Sequence, residues 1–110
     1  MASSQSTVDF VLEQIAGAGE VLARKMFGEY GVYCDGRIVG LICDDTFFVK
    51  PTAAGEAFAP ALERGPPYPG ANLYLMIDAD RLEDADWLAD LVRRTTAELP
   101  LPKPKSKARK

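Results

Sequence analysis

Residues 24–50, RKMFGEYGVYCDGRIVGLICDDTFFVK, form the longest apolar-rich region of this 110-residue chain and carry two short turn signals. Asp35-Gly36 lies between two apolar runs, which is the preferred composition of a two-residue type I′ hairpin turn. That turn sets an expected register in which Cys34 faces Arg37, Tyr33 faces Ile38, Val32 faces Val39, Gly31 faces Gly40, Tyr30 faces Leu41 and Gly28 faces Cys43. Asp44-Asp45 supplies a second two-residue turn, with Asp standing where Gly is usual, so that Ile42 faces Phe47 and Leu41 faces Phe48. The expected product is a three-stranded antiparallel meander.

Alternation along these strands puts Tyr30, Val32, Val39, Leu41, Cys43 and Phe48 on one face and Phe27, Tyr33, Ile38, Ile42, Phe47 and Val49 on the other. Both faces are apolar, whereas a sheet with one wet face shows polar residues at alternate positions. Something must therefore cover each side. The paired Gly31 and Gly40 leave a bare spot on the second face.

Working outward, residues 1–5 are small and polar and are expected to fray. A helix starts at Ser6, with Val8, Val11, Leu12 and Ile15 on one stripe and Phe10 off it, at the stripe's edge or against another surface. After the meander, Thr52 caps a second helix whose inner side is Ala54, Phe58, Ala61 and Leu62, stopped by Gly65, Pro66 and Pro67. Residues 72–78 read as a further strand, with a short extended piece before it, and Ala79 to Glu83 as a single helical turn. The last helix begins near Asp84, with Trp87, Leu88, Leu91, Val92 and Thr95 inward, and ends at Pro100 and Pro102. The folded domain is expected to span residues 6–100, followed by a disordered basic tail over 101–110. This is an α+β two-layer sandwich of order α-β(3)-α-β(2)-α, an antiparallel meander sheet covered by helices. Three short helices blanket one face of such a sheet, not two, and the uncovered apolar face points to a homodimer.

Composition removes several function classes. The chain has no histidine, so Ser/His and Cys/His nucleophile pairs and imidazole metal sites are excluded. Cys34 and Cys43 make no disulfide framework and are not opposite each other in the expected register. No apolar run is long enough for a membrane span and the N-terminus lacks a secretory pattern, so the expected location is cytoplasmic. Residues 1–102 carry eight basic and sixteen acidic side chains, while residues 103–110 carry five basic ones and no acid. The body should repel nucleic acid, and only the tail can attract it.

The residues Met26, Phe27 and Gly28, then Gly31, Val32 and Tyr33, the Asp35-Gly36 turn, the strand Ile38 to Cys43, and Phe47 to Lys50 resemble the TfoX (Sxy) N-terminal domain family of bacterial competence regulators. The similarity runs over roughly residues 8–98, in the form of a stand-alone single-domain member. It implies a secretion-chaperone-like fold, a tendency to dimerise and a regulatory role, and it supplies no catalytic motif or cofactor.

The candidate residues follow from both lines. Met26, Phe27, Gly28, Gly31, Tyr33, Asp35, Gly36 and Gly40 are structural motif positions, with Phe27 filling the core and Gly28 allowing a bulge beside Cys43. Phe10, Tyr30, Phe47 and Tyr74 are candidate interface residues. Tyr30, Tyr33 and Tyr74 either form an aromatic contact surface or pack as ordinary strand residues. Cys34, beside the turn and opposite Arg37, is a candidate reactive thiol. The acids Asp78, Asp80, Glu83, Asp84 and Asp86 lack calcium-loop spacing and read as helix caps, so no metal is expected. Lys103, Lys105, Lys107, Arg109 and Lys110 are candidate phosphate contacts. The expected function is a non-enzymatic regulatory or adaptor module with an unknown protein partner; the alternatives are a weak nucleic-acid-associated protein acting through its tail and, third, a small enzyme of unknown chemistry.

Overall fold

The first helix is set by Ser4, whose extended backbone and Oγ accepting from the Thr7 amide at 3.3 Å make it the N-cap. In the computed structural model, which describes residues 3–26 and 28–99, α1 runs over Gln5–Ile15 and closes in a 3₁₀ turn, Ala16–Ala18. Then follow β1 (Val21–Met26), β2 (Glu29–Cys34), β3 (Arg37–Cys43), β4 (Thr46–Val49), α2 (Ala53–Phe58), β5 (Arg64–Gly65), β6 (Tyr74–Ile77), α3 (Ala79–Leu82) and α4 (Ala85–Glu98). The strands form one antiparallel sheet in the order β1-β2-β3-β4-β6-β5. The α+β class and the helix-covered antiparallel sheet are as expected, but four strands precede α2 rather than three.

The additional strand is β1. Val21 and Ala23 pack toward the core while Leu22 and Arg24 point the other way, an alternation obscured by the adjacent charges of Arg24 and Lys25. Met26 pairs with Glu29 across a tight connection in which Gly28 takes φ 84°. Gly28 is thus a turn residue and does not face Cys43.

The Asp35-Gly36 turn has φ of 51° and 82°, the type I′ signature, and Cys34 pairs with Arg37 and Tyr33 with Ile38 as expected. Beyond that the register departs from a plain hairpin. Val32 pairs with Gly40, Gly31 with Leu41 and Tyr30 with Ile42, leaving Val39 as an extra residue in a β-bulge. Gly40 permits it: a Cβ there would run into the Phe48 carbonyl oxygen and the Phe47 ring. Two expectations are corrected by this bulge. Gly31 and Gly40 are not partners, and the side chains of β3 beyond Val39 change faces.

The core face therefore reads across the sheet as Ala23, Val32, Gly40, Val49 and Leu75, and one row further as Lys25, Tyr30, Ile42, Phe47 and Ile77. Val8, Val11 and Ile15 of α1 and Leu88, Leu91 and Val92 of α4 cover it, and all six are buried with Val32, Val39, Ile42, Phe47 and Val49. Helix α4 packs against both α1 and α2. Phe58 and Trp87 stack with ring centroids 5.7 Å apart, and the guanidinium groups of Arg94 and Arg81 lie 4.6 Å from the Phe58 and Trp87 rings respectively. These contacts tie α2 and α3 to α4.

Helix α2 is shorter than the pattern predicts. It ends at Phe58 because Pro60 drives Ala59 out of the helical region, to φ −132° and ψ 63°. Ala61 is exposed rather than on an inner stripe. Two of the acids from Asp78 onward act as the expected caps: Asp78 accepts from the Arg81 amide and Asp84 from the Trp87 amide.

Replacing Gly40 with Ala is expected to destabilise the protein by about 2–3 kcal/mol, because the new methyl meets backbone rather than a movable side chain. Urea unfolding followed by circular dichroism measures it, and a loss under about 0.5 kcal/mol contradicts the close approach described above.

Candidate interaction surface on the open sheet face

All the helices that contribute to the core lie on one side of the sheet. Among the described residues no helix crosses the other side. There the pairing aligns three rows: Leu22, Tyr33 and Ile38; then Arg24, Gly31, Leu41, Phe48 and Met76; then Met26, Glu29, Cys43 and Thr46. Lys50 and Tyr74 continue the first row beyond the bulge.

This face is apolar and only partly sheltered. Leu22 is 41% exposed and Tyr33, Ile38, Leu41 and Met76 are half-buried, while Phe48 and Cys43 are sealed by their neighbours. Met26 folds over Gly31 and touches Ile38's side of the face, filling the bare spot that the glycine leaves. The Arg24 guanidinium sits 5.9 Å from the Tyr33 ring. The loop of residues 66–71 forms a wall on this face through Pro67, Tyr68 and Pro69; it is closed on itself by the Ala71 amide donating to the Tyr68 carbonyl at 3.1 Å and leaves Tyr68 56% exposed. Between this wall and β2 lies a groove of about 880 Å³ whose floor is Ile38, Leu41, Cys43 and Tyr74. Lys50 stands at one end of it, Glu29 and Asp44 at the other.

The acidic end is built by a network that the sequence does not advertise. Asp44 and Asp45 both take left-handed backbone, φ 53° and 57°, which costs an L-residue about 1–2 kcal/mol and Asp somewhat less. The turn is held by its surroundings. Glu29 accepts from the Ser3 amide and the Asp44 amide, each at 2.9 Å; the Asp45 amide donates to Ser3 Oγ at 2.8 Å, and Asp45 Oδ1 accepts from the Ser4 amide at 2.8 Å. Burial pushes the Glu29 carboxyl up, but the amides of Asp44 and Ser3 outweigh it and hold the group below the usual 4.5. The Ser4 amide, with the Thr7 hydroxyl, likewise holds Asp45 below the usual 3.8.

The candidate residues distribute as follows. Tyr74 lies on the open face, but Tyr30 packs against the core on the opposite face, Phe10 is half-buried on α1, and Phe47 is 1% exposed beneath the helices. The four do not form one surface, and Phe47 is closed to any partner. Tyr33 and Tyr74 share a face that Tyr30 does not. Cys34 is fully buried beside α4, and burial raises its thiol pKa, only partly offset by a hydrogen bond with the Thr96 hydroxyl. The Arg37 guanidinium meets the Thr96 carbonyl at 3.2 Å, near the C-terminal end of α4, where a cation is favourable. Cys34 is therefore a buried core residue, and both its burial and its raised pKa oppose thiolate reactivity. Phe27, Pro100, Pro102 and the basic residues Lys103, Lys105, Lys107, Arg109 and Lys110 lie outside the described residues. Among the described residues no group of three or more Cys, Asp or Glu is placed to hold a metal ion, and no helix is long and apolar enough to cross a membrane. Leu22, Leu41 and Met76 were not singled out by sequence as surface residues, because the bulge and the first strand that place them leave no clear pattern.

A family model described as the TfoX N-terminal domain matches residues 13–99. The chain is also 44% identical over 105 residues to an uncharacterised 12.7 kDa protein in the trpE 5′ region of Spirochaeta aurantia, which covers 96% of this chain and 90% of that protein.

Two measurements test the chemistry of this region. Because the Glu29 and Asp45 pKa values are lower in the folded state, their stabilisation is complete above the usual carboxylate range and is lost as pH falls through the folded-state values. Glu29→Gln is expected to cost about 1–2 kcal/mol at pH 7 and clearly less at pH 3, read from urea midpoints at both; an equal cost at the two pH values contradicts the network. In the native protein neither Cys34 nor Cys43 should react with a thiol reagent on the timescale that labels both in urea. Rapid native labelling of Cys34 contradicts its burial.

Proposed function

The chain belongs to the TfoX N-terminal domain family, and from that premise and the open sheet face we propose that it is a non-enzymatic regulatory or adaptor module acting by self-association and protein contact. The observation that carries this is the one-sided helix layer. An antiparallel sheet with apolar side chains on both faces has its helices on one, and Leu22, Tyr33, Ile38, Leu41 and Met76 remain at the surface of the other. Apolar surface gathered on one face in this way marks a contact site rather than ordinary scatter.

Self-association through a two-fold axis brings the same patch against itself. The β1–β2 side of the face suits this, since Leu22 and Tyr33 pair across the strands and Arg24 supplies a polar rim. The regulatory role in this proposal is the one implied by the resemblance to the family's competence regulators. Two groups on the open face that could serve as nucleophiles, the Cys43 thiol and the Tyr74 phenol, are pushed up in pKa by burial, away from the nucleophilic form. The nucleic-acid alternative rests on residues 103–110 alone, against a body whose charge opposes it.

Light scattering on the purified protein at micromolar concentration is expected to give twice the 12.0 kDa chain mass. The double substitution Leu22→Glu, Tyr33→Glu should raise the dimer dissociation constant at least tenfold with the circular dichroism spectrum unchanged. A wild-type monomer at this concentration refutes self-association, and retention of DNA that is abolished by removing residues 103–110 favours the alternative.

A further inference from the structure

The groove on the open face has a polarity that the self-association reading does not use. Its floor is apolar, through Ile38, Leu41 and Tyr74, and at about 880 Å³ it is within the size range of small-molecule sites. Its two ends differ in charge. Glu29 and Asp44 occupy one, and Lys50 occupies the other with no carboxylate within 4.0 Å among the described residues.

We propose that this groove binds a small molecule with an apolar body and a single carboxylate, the carboxylate resting on the Lys50 ammonium and the body lying along β3 toward Leu41. Three observations support this orientation. The Lys50 backbone is fixed by its amide donating to the Val39 carbonyl at 2.8 Å, so the side chain leaves from a rigid point beside the bulge. Both oxygens of Glu29 already accept backbone amides, and the Glu29 and Asp44 carboxylates at that end repel a second anion, which directs it to Lys50. Burial keeps Tyr74 and Cys43 protonated at neutral pH, so the floor between the ends carries no charge of its own. A neutral chain of the same length gains the floor but not the ion pair with Lys50.

The test is calorimetric titration of the full-length protein with decanoate, decanol and decylamine, three probes that differ only in the head group. Decanoate should bind at least tenfold tighter than decanol, and decylamine should not gain from Lys50. Lys50→Gln should remove the decanoate advantage while leaving decanol binding as it is, and Lys50→Arg should retain the advantage. Absence of saturable decanoate binding, equal binding of the three probes, or a decanoate advantage that survives in Lys50→Gln overturns the proposal. The outcome is separable from self-association: Lys50→Gln should keep the mass of the wild type, and the Leu22→Glu, Tyr33→Glu protein should keep decanoate binding.

Discussion

One surplus residue in β3 decides what this protein shows to its surroundings. Val39 has no partner in β2, and by bulging there it lets Val39 and Ile42, an odd number of positions apart, both enter the core. Strict alternation would have buried Leu41 and Cys43 with Val39 and sent Ile42 outward. With the bulge, Ile42 joins Phe47 and Val49 under the helices, and Leu41 joins Phe48 on the open side. The absent side chain at Gly40 is what allows the backbones of β3 and β4 to sit close enough for this arrangement.

The rest of the architecture follows from that division. Helices α1, α2 and α4 are drawn to the face where Val32, Ile42, Phe47 and Val49 converge, and α4 is further anchored to β3 by Arg37. Their combined width covers that face alone. The opposite face is left to side chains that shield one another: Met26 leans over Gly31, Arg24 lies against Tyr33, and the 66–71 loop closes one flank. A surface of this kind is stable enough to be exposed yet apolar enough to recruit something.

Much of the fold was legible in sequence because local signals were unambiguous. Asp35-Gly36 can do little other than turn, Thr52 and Asp84 precede helices and cap them, and Trp87 to Thr95 spells one buried stripe. What was not legible depends on tertiary packing. The bulge has no signature beyond a glycine, and a glycine in a strand has several explanations. Strand β1 carries Arg24 and Lys25 side by side, which reads as a loop until β2 is known to lie beside it. The site suffered most, since every face assignment past Val39 inherits the register. Phe47 was a candidate interface residue and is core, whereas Leu41 and Met76 were given no surface role and line the open face. Pro60 was a readable stop for α2, outweighed by the apolar pattern at Ala61 and Leu62.

The acidic turn between β3 and β4 has a topological effect. Ser3 and Ser4 reach across 42 and 41 residues to Asp45, and Ser3 reaches 26 to Glu29. These bonds buckle the start of the chain onto the far end of the meander, so that α1 and the first four strands form a closed circuit rather than a string of hairpins. Closing a loop of that length costs entropy that short hairpins avoid. The turn with two left-handed aspartates is therefore fastened from a distant part of the chain, and Ser3 and Ser4 belong to the mechanical frame of the sheet rather than to a lead-in that can be exchanged freely for another sequence.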